Sequence, residues 1–371
     1  MEPVSFPDYI FLLLVILAII ILIEISFLLI YRLKTGVPYF YVKKIPIEKF
    51  HIIPHPYLPF IYKKNITTTG GKKNFPNYRN YLFPSVTTNN FQFINGEDGG
   101  RDIKIPKPYN LIRINCLGAS VTANYIREKN KNFSYPMELE KILKLRFRNK
   151  NIEVNNCAQG GYNSADILVR SALSIIDTKP DYIVIYHAFN DIKSYLTPGF
   201  EADYSHSRNN LGNSYWKFYL SSLLPDIPLN SYNYIKNKFL PSPNIRHTLL
   251  KVITKGTENL NANYENGLKT YERNIKSIIN LFKQINTKVI LCTYVYNLYD
   301  DIKNDKKHNL YFEIVKKENE VMRDIAKKLN VDLVDTEKII EKSKENIVDT
   351  MHFTKKGMTL VADAISQKIN L

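Results

Sequence analysis

Four places in the chain carry side chains whose types and spacing can do chemistry. The run Leu111-Ile112-Arg113-Ile114-Asn115-Cys116-Leu117 closes in Gly118-Ala119-Ser120 before a helix-like segment. A hydroxyl at that point either caps the helix or acts as a nucleophile. Gly160 and Gly161 follow a second strand-like run and leave a backbone N–H unshielded by a side chain. Asn190, in His187-Ala188-Phe189-Asn190-Asp191, follows a third. Its amide either closes a loop or donates a hydrogen bond to a developing oxyanion. Asp349 precedes His352 by three residues. On a turn, the carboxylate can then accept from one ring nitrogen while the other faces outward. Thr354 stands where it would cap the next helix.

These places must be brought together by the elements between them. Apolar runs predict strands over 111–117, 152–157, 182–186, 288–295 and 331–334. Helical spacing predicts helices over 136–147, 164–176, 264–285, 311–329 and 355–369. Strands alternating with helices predict a mostly parallel five-stranded sheet with right-handed crossovers, whose carboxyl edge gathers the residues above. The alternation lapses over 193–263, a Tyr-, Asn-, Ser- and Pro-rich insertion that contains the only tryptophan, Trp216. It is expected to form part of a lid or pocket wall, in which Tyr204, Trp216 and Tyr219 either line a pocket or serve as packing residues.

Gly118-Ala119-Ser120, Gly160-Gly161-Tyr162-Asn163-Ser164, Phe189-Asn190-Asp191 and Asp349-x-x-His352 occur in the order of the four blocks of the SGNH hydrolases, the GDSL esterase/lipase superfamily, which the chain resembles over about 111–371. The resemblance implies a three-layer, flavodoxin-like α/β fold. It also implies a Ser-His-Asp triad with Ser120 as nucleophile, His352 as general base and Asp349 as its orienter. The Ser120 N–H, the Gly161 N–H and the Asn190 amide would form the oxyanion hole. Two residues depart from the family pattern: Ala119 replaces the Asp of Gly-Asp-Ser, and Ala188 stands where Gly usually precedes x-Asn-Asp. Asp335, at the end of the fifth strand, is the alternative orienter. An esterase or deacylase is the expected activity. Acyl transfer to a glycan or lipid-linked sugar, or a non-catalytic binding module on the same scaffold, are the alternatives.

Before this region, residues 10–30 form an apolar run of 21 positions broken only by Glu24 and Ser26. That length crosses a hydrocarbon core of ~30 Å. A signal peptide fits poorly, because Glu2 and Asp8 occupy the place of a basic leader. After the run, Arg32, Lys34, Lys43, Lys44, Lys49, Lys63, Lys64, Lys72 and Lys73 stand against one acid, Glu48. The positive-inside rule then predicts a cytoplasmic C-terminal part. The expected organisation is an anchor over 1–31, a basic Pro- and aromatic-rich juxtamembrane region over 32–106, and the hydrolase over 107–371.

With 44% hydrophobic and 23% charged residues, the chain is neither disordered nor fibrous. The net charge of +16 is spread along the sequence without a nucleic-acid motif. Its densest cluster adjoins the apolar run and suits anionic lipid headgroups. No nucleic-acid partner is expected. Cys116, Cys157 and Cys292 are too scattered for a disulfide framework or zinc site and are expected as buried hydrophobes. Thr69-Gly70-Gly71-Lys72 reads as a turn, and His51 and His55 lack acidic company. No cofactor or metal is expected. The expected partners are an ester-bearing small molecule, lipid or glycan and the membrane itself.

Overall fold

The structure is a computed structural model that describes residues 6–35, 52–53, 55–67, 71–75, 78–83, 87–95, 100–123, 126–128, 131–208, 229–239, 258–299 and 302–371. His51, Thr69, Gly70, Trp216 and Tyr219 lie outside the described residues. The chain divides into two compact units, one of residues 1–50 and 213–248, the other of 51–212 and 249–371.

The larger unit is built on a five-stranded sheet of β1 (Leu111–Gly118), β2 (Asn151–Asn156), β3 (Tyr182–Tyr186), β4 (Lys288–Cys292) and β5 (Asp332–Val334). Its order is β5-β4-β3-β1-β2, and every pairing is parallel. Read from the other edge, this is the flavodoxin-like order 2-1-3-4-5. The chain steps outward from β1 to β2 and then back across β1 to β3. The loops leaving β1 and β3 therefore diverge, and a crevice opens at the carboxyl edge between them.

Right-handed crossovers assign the helices to the two faces. α3 (Tyr135–Arg146) packs with α10 (Lys355–Ser366) on one face; α4 (Ser164–Arg170), α7 (Glu265–Lys283) and α8 (Lys306–Leu329) pack together on the other. Short helices α2 (Ser120–Ala123), α5 (Ile192–Leu196) and α9 (Thr336–Ile339) follow β1, β3 and β5.

Strands covered on both faces run almost wholly apolar, as β3 does in Tyr182-Ile183-Val184-Ile185-Tyr186, all buried. The polar residues of β1 need partners and have them. Arg113, fully buried, pairs with Glu153 directly opposite on β2. Asn115 Nδ2 donates to Thr178 Oγ1 at 2.8 Å and its Oδ1 accepts from Asn155 Nδ2 at 2.8 Å. The three cysteines are free and buried, as expected of small hydrophobes.

The helix ends follow capping chemistry. Asn163 forms a capping box with Asp166 at the start of α4, and the Thr354 hydroxyl accepts from Gly357 N at 3.2 Å at the start of α10. The strand expected over 288–295 ends at Cys292 and the helix expected over 355–369 ends at Ser366, and two helices differ from the sequence expectation by more. α8 begins at Lys306 instead of Tyr311, because Asp305 accepts from the N–H groups of Lys307 and His308 and adds a turn before the apolar periodicity starts. The expected helix over 164–176 is α-helical only to Arg170 and continues as a π-turn over Ser171–Ile175; both share the same apolar side, so periodicity does not separate them.

The smaller unit contains α1 (Phe6–Thr35) and α6 (Asn230–Phe239), packed on each other. α1 is the one helix among the described residues long and apolar enough to cross a membrane.

Candidate active site

Ser120 is the first residue of α2, immediately beyond the carboxyl end of β1, and is half-buried. Close packing beneath it requires glycine at 118. A Cβ there would lie 2.2 Å from Thr122 Oγ1 and 2.4 Å from the Tyr186 carbonyl oxygen. The chain can thus turn directly from β1 into α2 against the end of β3.

His352 and Asp349 lie on the turn before α10. His352 Nε2 is 3.0 Å from Ser120 Oγ, and His352 Nδ1 is 2.7 Å from Asp349 Oδ2. Asp349 Oδ1 also accepts the N–H groups of Met351 and His352, both at 2.8 Å. Partial burial acts to raise the Asp349 carboxyl; the hydrogen bonds and charge of His352 and the two backbone donors outweigh it and hold the group below the ordinary carboxylate range. The turn is fixed from outside by Asn297 N–H, which donates to Thr350 O at 2.8 Å.

The other two segments reach the same edge. Gly161 has φ of +86°, a left-handed conformation that favours glycine. Asn190 Nδ2 donates to the carbonyl of the next residue, Tyr162, at 2.8 Å, so the loops after β2 and β3 are joined. Asn190 N–H closes a three-residue turn onto Ala188 O at 2.7 Å, with Phe189 at φ +67°. That is the strained γ-turn geometry, which persists only where its surroundings enforce it. Ala188 is fully buried.

The family model of the GDSL-like lipase/acylhydrolase family matches residues 116–360. The chain belongs to this family. It is accordingly an ester-hydrolysing enzyme. No curated protein sequence matches the chain. Among solved structures it is similar to Axe2, an acetylxylan esterase from Geobacillus stearothermophilus, at 16% identity over 70% of this chain and 94% of that one, with a TM-score of 0.42. It is also similar to LAE5, an alpha/beta hydrolase enzyme from the metagenome of Lake Arreo, Spain, at 14% identity over 70% and 97%, with a TM-score of 0.41.

In this GDSL-like hydrolase the alternative orienter, Asp335, is engaged elsewhere. It accepts from Thr293 Oγ1 at 2.9 Å and from Arg323 Nε and Nη2 at 3.0 and 2.8 Å.

Behind the half-buried edge lies a buried polar network that joins Ser164 and Asp191 of the blocks to Glu318, which the four blocks do not contain. Glu318, on α8, accepts from Phe189 N–H at 2.9 Å and from Tyr195 OH at 2.9 Å. Asp191 accepts from Ser164 N–H at 2.9 Å, the Ser164 hydroxyl, Tyr204 OH at 2.9 Å and His187 Nε2 at 2.7 Å. Burial acts to raise both carboxyls. Hydrogen bonds from His187 and Ser164 overcome it and hold Asp191 low, whereas Glu318, facing the charge of Asp191, is pushed up to about 8. The loops after β2 and β3 therefore rest on a carboxyl held low, Asp191, and a carboxyl pushed up, Glu318. Of the two readings of Tyr204, pocket lining or packing, the structure shows packing: it is fully buried in this network.

Proposed function

We propose that the protein is a membrane-anchored serine esterase or deacylase with Ser120 as nucleophile, His352 as general base and Asp349 as orienter. The Ser120 N–H, the Gly161 N–H and the Asn190 amide would receive the oxyanion. The single observation that carries this reading is the continuous contact from Asp349 through both ring nitrogens of His352 to Ser120 Oγ, at 2.7 and 3.0 Å.

The chemistry follows from those contacts. Ionised Asp349 takes the Nδ1 proton and leaves the Nε2 lone pair facing the serine hydroxyl. As Oγ attacks an ester carbonyl, its proton passes to Nε2, and Asp349 stabilises the resulting imidazolium. The developing oxyanion takes hydrogen bonds from the two backbone N–H groups and from the Asn190 amide. An amide nitrogen carries two hydrogens, so Asn190 can hold Tyr162 O with one and the oxyanion with the other. On collapse the leaving alcohol takes the Nε2 proton. Water, activated by the same imidazole, then releases the acyl group.

The assigned organisation is the anchor over 1–31, the juxtamembrane region over 32–106 and the hydrolase over 107–371 with its insertion at about 193–263. Basic residues after the apolar run favour a cytoplasmic hydrolase, acting on an acyl ester of a lipid, glycan or small molecule. A reporter fused after Leu371 that is active only outside the cytoplasm would reverse that orientation. The activity is tested with a fluorophosphonate probe: wild type should label and Ser120→Ala should not. Failure of correctly folded wild type to label sinks the triad reading.

A further inference from the structure

Glu24 interrupts the apolar stretch of α1, eight residues before Arg32, or about 12 Å along the axis at 1.5 Å per residue. Its Oε1 accepts from Asn230 N–H at 2.6 Å. Its Oε2 accepts from Ser231 N–H at 2.9 Å and from the Ser231 hydroxyl at 2.7 Å. The carboxylate thus takes up the first N–H groups of α6, at the positive end of that helix.

This contact is one end of a seam. Ile20, Glu24, Phe27, Leu28 and Tyr31 are half-buried, at spacings of one helix face, while the other described side chains of α1 are exposed. The Tyr234 ring meets Phe27 and Tyr31 at centroid distances of 5.2 and 5.6 Å. With 230 and 231 beside Glu24 and 234 beside Phe27 and Tyr31, the two helices run parallel. The ten residues of α6 rise about 15 Å, enough to bring their last turn level with Arg32 and Lys34 of α1.

We propose that α6 is a second membrane-embedded element, held beside α1 by Glu24, and that the partner of the α1–α6 surface is the lipid bilayer. The proposal rests on the reading of α1 as a membrane span. Exposed apolar side chains lie on both sides of Glu24, with Leu22 and Ile23 at 63% and 56% and Leu29 and Ile30 at 57% and 53%. A carboxylate at that depth is costly without partners. Unsatisfied N–H groups of a helix end in hydrocarbon are costly as well. Glu24 and the start of α6 remove each other's cost. In water both would be hydrated and the pairing would gain little.

The stretch that leads into α6 is nearly uncharged, as suits this depth. From Asn213 to Leu229 only Lys217 and Asp226 are charged, and Tyr31, Tyr232 and Tyr234 supply the aromatic residues typical of the headgroup boundary. The part of the insertion that carries α6 is then a membrane element, while Tyr204, nearer its start, belongs to the hydrolase unit.

The test uses full-length protein in phosphatidylcholine vesicles, with an environment-sensitive fluorophore on Ile235→Cys, a position 55% exposed. The native cysteines are all buried and should not compete for the label. Brominated phosphatidylcholine should quench this probe by about half or more, as for groups buried several Å below the headgroups. A probe on Tyr109→Cys, fully exposed in the hydrolase unit, should stay unquenched. Glu24→Leu should keep the protein in the membrane yet cut quenching at 235 about threefold. If wild type resists alkaline extraction but the 235 probe is quenched no more than the 109 probe, the proposal is overturned and the anchor stands. If alkali releases wild type, the anchor reading itself falls and the proposal with it. Unchanged quenching in Glu24→Leu overturns the holding role of the carboxylate.

Discussion

Glu318 Oε2 accepts the Phe189 backbone N–H at 2.9 Å, and this bond ties the middle of α8 to the residue before Asn190. Phe189 sits at φ +67°, stacked on Tyr296 at 5.5 Å and edge-on to Tyr311 at 5.4 Å. Glu318 and the two tyrosines therefore hold a strained turn that aims the proposed oxyanion donor. Glu318→Leu leaves the Phe189 N–H buried without an acceptor, a cost of about 1–3 kcal/mol. It should lower kcat by about tenfold or more with little change in KM. Glu318→Gln keeps an acceptor oxygen and should restore most of the rate. Equal kcat in wild type and Glu318→Leu would show that the turn holds itself.

The same residue predicts a pH dependence of stability. Glu318 titrates at about 8 in the fold against an ordinary value of 4.5, so the folded state keeps a proton that the unfolded chain releases. Its contribution is complete below about pH 4.5 and is lost as pH rises towards about 8. Asp191, held low, acts in a separate window and loses its contribution only below the ordinary Asp value of 3.8. The Tm of wild type should fall from about pH 5 to about 8, and Glu318→Gln should flatten that slope. Parallel Tm curves would count against the assignment.

Much of this site was legible in the sequence because a parallel sheet announces its carboxyl edge. Ser120, Gly161 and Asn190 each follow a strand-like run, and Asp349 and His352 are close enough in sequence to pair on one turn. Glu318 gave no such signal. It lies in Lys316-Lys317-Glu318-Asn319-Glu320, where a carboxylate reads as part of a solvated face, and only packing against Phe189 and Tyr195 makes it internal. Glu24 was visible as a charge in an apolar run, but its partners lie more than two hundred positions away in an insertion without periodicity. Sequence spacing identifies groups that share one element or one edge; it does not identify groups that meet across the core.

Asn190→Ala should reduce kcat by about 100- to 1000-fold, the usual effect of removing one oxyanion donor. Because Asn190 also bonds Tyr162 O at 2.8 Å, the loops after β2 and β3 should loosen slightly. Fluorophosphonate labelling of Ser120 should become slower without disappearing. Unaltered kcat would remove Asn190 from the oxyanion hole.

Gly118 and Gly160 should respond oppositely to alanine. At 118 the added Cβ meets Thr122 Oγ1 and the Tyr186 carbonyl at 2.2 and 2.4 Å, and the carbonyl belongs to the central strand β3. Gly118→Ala should therefore lower Tm by several degrees or prevent folding. At 160 nothing lies within 4 Å of the new Cβ, and Gly160→Ala should leave Tm unchanged. A stable Gly118→Ala protein would contradict the close approach between the two strand ends.

Asp349 and Asp335 offer the sharpest separation of roles. Asp335 directly follows β5 and Asp349 stands on the turn before α10, and each carboxyl is held below its ordinary range against the effect of burial, Asp349 by His352 and Asp335 by Arg323 and Thr293. Only Asp349 touches the imidazole. Asp349→Asn presents an amide that can leave Nδ1 as the acceptor and turn the Nε2 hydrogen towards Ser120, so that the base is in the wrong tautomer. In triads of this kind that change costs about 10⁴ in kcat. Asp335→Asn should instead weaken the contact with Arg323 and lower Tm while kcat stays near wild type. The pair is measured by kcat and thermal unfolding on the same preparations. A kcat loss in Asp335→Asn larger than that in Asp349→Asn would transfer the orienting role to Asp335.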